Sequence, residues 1–119
     1  MKANELMIDD WVECVDSTHK KKVYAQIEAI EEGQTCILVR LGNCNWFLDI
    51  SFIKPIPLTI KIIEKNGIMY KWGMLWYQGR YDETGFEFHF NNDCTMHLHY
   101  VHELQHALRL CGIEKEIEL

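Results

Sequence analysis

The stretch from Lys54 to Ile68, KPIPLTIKIIEKNGI, decides how the chain is divided. Pro55 and Pro57 each disfavour a helical residue before them, so this segment should begin as an extended connector. Thr59 can then cap a short helix, and Asn66-Gly67 can end it with a left-handed residue. We therefore predict three parts: a module over residues 1–54, a linker with a short helix over 55–67, and a second module over 68–119.

The first module is predicted to consist of short β-strands. Val23, Ala25, Ile27 and Ala29 occupy alternate positions, which is typical of a strand with one buried face. Further segments rich in β-branched and aromatic residues, separated by turn signals, predict strands over residues 11–15, 23–30, 35–41 and 46–50. Short strands joined by tight turns must close up to protect their edges, and a small SH3-like β-barrel is the simplest architecture that does so.

The second module is predicted to contain a β-hairpin. Its first strand is FEFHF at residues 86–90, and its second strand covers residues 94–100, which begin with CTMHL. A three-residue loop sets Phe88 opposite Met96, whereas a two- or four-residue loop would set Phe88 opposite His97 and mix the two faces. We therefore predict the three-residue loop. It places Glu87, His89 and His97 on one polar face, as a carboxylate–imidazole set.

The chain is predicted to close with a helix over about 100–111 that stops at Gly112. Its apolar stripe includes Val101, Leu104 and Leu108, which should pack against the hairpin. At 100° per residue, His102 and His106 lie roughly 150° from that stripe and should face water. The fold class is thus α+β: an SH3-like barrel followed by a β-hairpin packed against a C-terminal helix.

Composition narrows the classes of function. The 119 residues carry a net charge of −6, and their only basic run is His19-Lys20-Lys21-Lys22, so nucleic acid is not an expected partner. No apolar run approaches the ~18 residues of a membrane span, and the N-terminus does not look like a secretory signal. The five cysteines form no C-x-x-C pair. A cytoplasmic protein without a disulfide framework is expected.

One catalytic signature is present. His102-Glu103-Leu104-Gln105-His106 matches H-E-x-x-H, in which two histidines bind zinc and the glutamate polarises the bound water. The downstream extension that usually supplies a third ligand is missing, because Gly112 stands where it needs histidine and only thirteen residues follow His106. A third ligand would have to come from upstream histidines, namely His89, His97 or His99. A zinc-dependent hydrolase with Glu103 as base is therefore the alternative interpretation. The favoured interpretation is a protein without a cofactor.

Other candidate sites are weaker. Cys94 or Cys111 could act as a nucleophile beside a histidine, but both lie in apolar patterns that favour a structural role. Aromatic residues of the first module could form a cage for a cationic or peptide ligand, and the candidates are Trp11, Tyr24, Trp46 and Phe47. In the second module, the segment WGMLWYQGRY predicts a contact surface for a protein partner, and its contact residues are Trp72, Trp76 and Tyr77.

Three segments carry a resemblance: ANELMIDDWV, IKPIPLTIKIIEKNG and LHYVHELQHALRLCG. Together they resemble an uncharacterised family of small proteins encoded in prophages and conjugative elements of gut bacteria. Relatives in this family have closing helices that lack the glutamate and the second histidine. The resemblance therefore implies that Glu103 and His106 are not defining residues of the family. The resemblance also implies that the shared helix residues are its packing face, namely Tyr100, Val101, Leu104 and Leu108. It implies no activity or cofactor.

The sequence therefore favours a non-enzymatic accessory protein of a mobile genetic element that binds another protein. Neither nucleic acid nor a membrane is expected as a partner.

Overall fold

The chain is described by a computed structural model over residues 6–15, 22–30, 36–42, 44–67, 75–82, 85–90, 94–113 and 116–119. Its fold is α+β, and it divides into two compact units, Met1–Ile56 and Pro57–Leu119. The division lies between the two prolines of the predicted linker. The short helix after Thr59 consequently belongs to the second unit rather than to a separate connector.

The first unit is built on a five-stranded antiparallel sheet with the order β4-β3-β2-β1-β5. Its elements are β1 (Trp11–Val15), β2 (Lys22–Ile30), β3 (Cys36–Leu41), β4 (Cys44–Asp49), a 3-10 turn (Ile50–Phe52) and β5 (Ile53–Pro55). The four predicted strands are present, and β5 was not predicted because Pro55 indicated a connector. Pro55 fits the end of β5 because an edge strand does not need every N–H for pairing.

Alternation along these strands produces the core of the first unit. The inward side chains are buried, and they are Val12, Cys14, Ala25, Ile27, Ile37, Val39 and Ile53. The register of β2 against β3 shifts between Ile27 and Ala29, which is a β-bulge that bends the strand. Ala29 is therefore only half-buried, although strict alternation predicted it inside. The described strands do not form a closed barrel, because β4 and β5 stand at opposite edges.

The second unit combines two helices with a three-stranded antiparallel sheet of order β6-β7-β8. Its elements are α1 (Ile60–Lys65), β6 (Leu75–Asp82), β7 (Gly85–Phe90), β8 (Cys94–Leu98) and α2 (Val101–Leu110). The predicted capping of α1 is confirmed: the Thr59 hydroxyl accepts a hydrogen bond from the backbone N–H of Ile62 at 3.3 Å. Gly67 ends the helix with φ +70°.

The register predicted for the hairpin is confirmed. Phe88 pairs with Met96, and Glu87 pairs with His97, as the three-residue spacing between Phe90 and Cys94 requires. Phe88 is fully buried, so a slip of one residue would exchange this side chain for a polar neighbour in the core. The pairing therefore fixes which hairpin face carries the polar residues.

The end of α2 has the predicted glycine stop. Gly112 has φ +70°, its N–H bonds the carbonyl of Arg109, and the N–H of Ile113 bonds the carbonyl of Leu108. This is the hydrogen-bond pattern of a Schellman motif. Beyond it, the described residues 116–119 form no strand. Ile117 is instead buried in the second unit.

Candidate functional site

The two histidines of the H-E-x-x-H match lie on α2 but do not both face water. His102 is only 5% exposed, and His106 is half-buried. The predicted solvent-facing position of His102 is therefore wrong. Six of the ten residues of α2 are buried, which is more than one apolar stripe can account for, because His102 and Gln105 are covered together with the apolar residues.

The imidazole of His102 is part of a row of rings. It lies nearly parallel to the Tyr100 ring, with centroids 5.8 Å apart, and it meets the His106 ring edge-on at 5.6 Å. His102 and His106 lie one turn apart on α2, and the ring of the N-cap residue Tyr100 stacks on the other side of His102. In this setting His102 acts as a packing residue of the helix.

Glu103 is occupied by the backbone at the beginning of α2. Its Oε1 accepts hydrogen bonds from the N–H groups of His99, at 2.9 Å, and Tyr100, at 3.0 Å. Tyr100 is the N-cap residue, so this is the glutamate half of a capping box. A general base must instead reach a water bound between the two histidines. Glu103 would have to release both backbone groups to do so.

The upstream histidines do not complete a metal site with α2. His99 lies beside Glu103, with Nδ1 3.8 Å from Oε1, and His89 and His97 flank Glu87 on the hairpin. Within the described ranges, no three histidine, cysteine, aspartate or glutamate side chains form a group that could hold a metal ion. The alternative ligand set is thus not assembled in this part of the chain.

The predicted carboxylate–imidazole set on the hairpin is assembled. The Oε2 atom of Glu87 lies 3.2 Å from Nε2 of His89, and its Oε1 atom lies 3.8 Å from Nε2 of His97. All three side chains are partly exposed. The carboxylate can therefore pair with either imidazole when that ring is protonated, and such pairs at a partly exposed site contribute little to stability.

The thiols of Cys111 and Cys14 have pKa values shifted away from those of an activated nucleophile. Burial raises the pKa of the Cys111 thiol, and burial followed by the charge of Glu13 raises the pKa of Cys14 to about 11. A nucleophilic cysteine needs the opposite shift. Cys94 lies in β8, but its side chain is outside the described residues.

Of the three contact residues predicted in the second unit, only Tyr77 has a described side chain. Tyr77 is only 4% exposed and packs its ring 5.2 Å from that of Phe88, so its side chain belongs to the core and not to a contact surface. The prediction for Tyr77 is therefore wrong. Trp72 and the side chain of Trp76 lie outside the described residues, and both stay predictions.

The aromatic residues of the first unit do not share one face. Trp46 is opposite Val39 and packs against the core, whereas its neighbour Phe47 is opposite Leu38 and points to the other side of the sheet. Trp11 pairs with Gln26, and Tyr24 pairs with Glu13, both on the face away from the core. A four-residue cage is therefore not formed, because one of its members is on the wrong side of the sheet.

Sequence reasoning missed the edge formed by β4. This strand lies at one end of the five-stranded order and contains neither lysine nor proline. Asn45, Phe47 and Asp49 are exposed, and Phe47 is 63% exposed, the most open of the aromatic rings in the described residues. The signal was the alternation in CNWFLD, which places one aromatic ring in the core and the next one outside.

The opposite edge of the same sheet differs in each of these respects. β5 has three residues, and they include Lys54 and Pro55. Short length, lysine and proline are the usual means by which proteins prevent pairing at a sheet edge. The sheet thus has one edge with these protections and one without them.

Comparisons with protein-family models, with curated proteins and with solved structures found no match. Among the described residues, no helix is long and apolar enough to cross a membrane.

Proposed function

We propose that this chain is a non-enzymatic accessory protein of a mobile genetic element, and that it binds another protein chain through the β4 edge. The observation that carries the proposal is the exposed edge strand itself, six residues without lysine or proline and with Phe47 in the solvent. An unprotected edge of this kind favours the addition of a further strand.

The chemistry of the edge suits binding. The free edge of an antiparallel strand offers N–H and C=O groups to a partner strand, and these bonds give affinity without requiring a particular sequence. Phe47 adds an apolar anchor beside them, and aromatic residues are enriched where protein contacts are strongest. The backbone groups of β4 would therefore provide affinity for the partner strand, and Phe47 would provide selectivity.

An SH3-like arrangement of the first unit is part of the same proposal. Its support is the connectivity: four strands in a meander, then a 3-10 turn, then β5 returning to pair with β1. The bulge in β2 is the kind of feature that bends such a sheet toward a partly open barrel. In that shape the β4 edge would stay accessible at the opening.

Support for an accessory role rather than an enzyme comes from α2. Glu103 caps the helix through two backbone N–H groups, and His102 is packed between Tyr100 and His106. Both groups therefore have structural roles that explain their presence. The resemblance to small proteins of prophages and conjugative elements supports the assignment to a mobile element.

The test is capture of a partner with a matched pair of variants. Purified wild-type protein, Phe47→Lys and Phe52→Lys are used as baits, because both phenylalanines are exposed but Phe52 lies in the 3-10 turn outside β4. We expect the captured chain to be lost with Phe47→Lys and retained with Phe52→Lys. The complex should then be rebuilt from purified components, and the amides of β4 should exchange more slowly in it.

Two results would contradict the proposal. One is equal capture by both variants. The other is stoichiometric zinc in protein purified without a histidine tag, lost with His102→Ala, together with a hydrolytic activity abolished by Glu103→Gln. The second result would establish the zinc hydrolase in place of the accessory protein.

A further inference from the structure

We propose that the chain bound at β4 is a second copy of this protein, paired antiparallel about a two-fold axis that passes through Phe47. This inference rests on the proposed function, because it identifies the partner of the same edge.

The pairing of β4 with β3 determines which backbone groups of β4 face the sheet edge. Leu41 pairs with Cys44, and only two residues separate them, so these two residues form the hydrogen-bonded pair that closes the turn. In an antiparallel ladder, hydrogen-bonded and non-bonded positions alternate. Cys44, Trp46 and Leu48 therefore direct their backbone groups to β3, and the residues between them direct theirs to the open edge.

The geometry of an antiparallel pair limits the register of two β4 strands. Residues opposite each other in an antiparallel pair place their side chains on the same face of the sheet. A two-fold axis through the edge must therefore pass through a residue and not between two residues, since neighbours on β4 point to opposite faces. The axis through Phe47 is the one that uses all three outward-facing residues, and they are Asn45, Phe47 and Asp49.

The side chains that meet across the two β4 strands are complementary when the axis lies at Phe47. With the axis at Phe47, this ring meets its own counterpart, Trp46 meets Leu48 of the other copy, and Asn45 meets Asp49 of the other copy. Each pair joins either two apolar side chains or an amide and a carboxylate. The amide of Asn45 can donate to a carboxylate, which makes this pairing a charge-assisted hydrogen bond.

Other registers lack this complementarity. An axis at Trp46 would set Asn45 against Phe47, and an axis at Leu48 would set Asp49 against Phe47. The second of these would also pair Trp46 with Ile50, which belongs to the 3-10 turn and is not in strand conformation. The axis at Phe47 is therefore the register in which β4 is complementary to itself.

Charge does not oppose this pairing locally. Each copy has a net charge of −6, but β4 contains a single ionisable acid, Asp49. Its carboxylate accepts a hydrogen bond from the backbone N–H of Ser51 at 2.9 Å. The antiparallel arrangement places the two Asp49 side chains at opposite ends of the interface, each beside an amide.

The experiment is sedimentation equilibrium of the full chain over the micromolar range. We expect a dimer for the wild type, a monomer for Phe47→Lys, and a dimer for the control Phe52→Lys. Phe47→Lys should fold normally, because the side chain of Phe47 is exposed. Comparison of its circular dichroism spectrum with that of the wild type checks this. Lysine at the axis would face a second lysine, and like charges directly opposite each other oppose strand pairing.

A crosslink tests the register independently. In a Cys44→Ser background, Phe47→Cys should form a disulfide-linked dimer on mild oxidation, because hydrogen-bonded antiparallel pairs have Cα atoms about 5.5 Å apart, within the range for a disulfide. Phe52→Cys in the same background is the control and should not crosslink.

The outcomes distinguish the two proposals. A monomeric wild type, or a dimer that survives Phe47→Lys, would overturn the second copy as the partner. The proposed function would then be judged separately by whether a different chain is captured by the wild type and lost with Phe47→Lys. A dimer that dissociates with Phe47→Lys but does not crosslink through Phe47→Cys would overturn the register and hence the two-fold axis at Phe47.

Discussion

The side chain of Asn66 forms hydrogen bonds with both backbone groups of Glu118. Its Nδ2 donates to the Glu118 carbonyl, and its Oδ1 accepts from the Glu118 N–H, each at 2.8 Å. The same Nδ2 also donates to the carbonyl of Ile62 at 2.8 Å. Asn66 is 2% exposed, so this amide takes the place of a neighbouring strand and secures the segment that carries Ile117.

Replacing this amide should destabilise the second unit. Asn66→Ala leaves the partly buried backbone groups of Glu118 without these partners, which we expect to lower the free energy of unfolding by about 1–3 kcal/mol. Urea denaturation measures the change. The control is Glu64→Ala on the same helix, whose side chain is exposed and whose loss should change stability by less than about 0.5 kcal/mol. Equal midpoints for the two variants would contradict this role of Asn66.

Among Gly42, Gly67, Gly85 and Gly112, Gly85 should be the glycine that least tolerates a side chain. It has φ +107°, and a Cβ atom there would lie 2.8 Å from the backbone oxygen of Leu98. We expect Gly85→Ala to cost about 3 kcal/mol, because backbone strain and overpacking add. Gly42→Ala is the comparison: it has φ +58° and open space around the Cβ position, so about 1 kcal/mol is expected. Thermal or urea unfolding that ranks the two variants in the reverse order would refute the contact.

The capping role of Glu103 can be tested by its effect on stability. Glu103→Gln keeps an oxygen that can accept from the N–H groups of His99 and Tyr100, so its stability should stay near that of the wild type. Glu103→Ala removes the acceptor and should lower the free energy of unfolding by about 1 kcal/mol. The measurement is urea unfolding of both variants. A large loss of stability with Glu103→Gln would show that the cap depends on the charge and not on the acceptor oxygen.

The thiol of Cys14 should make the first unit sensitive to alkali. Burial raises its pKa from 9.0 to about 11 in the folded chain, so between these values the unfolded chain releases a proton that the folded chain retains. The free energy of unfolding should therefore fall as the pH rises from about 9 toward 11. Urea midpoints at several pH values measure this slope, which should be shallower in Cys14→Ala. Parallel slopes for the variant and the wild type would exclude Cys14 as the cause.

Local patterns predicted the parts of the fold that depend on neighbouring residues. The hairpin register followed from Phe88, because a strand has a period of two and only one loop length kept this ring on the apolar face. The stops at Gly67 and Gly112 followed from the conformational freedom of glycine. These features need no knowledge of distant contacts.

Features that depend on distant contacts could not be predicted in the same way. Helical periodicity placed His102 outside because it identifies the most apolar stripe and does not show how many sides of α2 are covered. Tyr77 belongs to a cluster of aromatic residues, and the cluster alone does not indicate which member is buried. The edge position of β4 became visible only when the strand order was known.

The unequal edges of the five-stranded sheet also limit how far assembly through this sheet can proceed. Growth into a filament requires each subunit to offer two edges, one for the preceding subunit and one for the next. Here β5 is protected by its short length, lysine and proline, so strand addition at β4 would use the unprotected edge of this sheet in the described residues and leave none for a third copy. Assembly by this route is closed and finite, and an open edge on only one side thereby permits association without polymerisation.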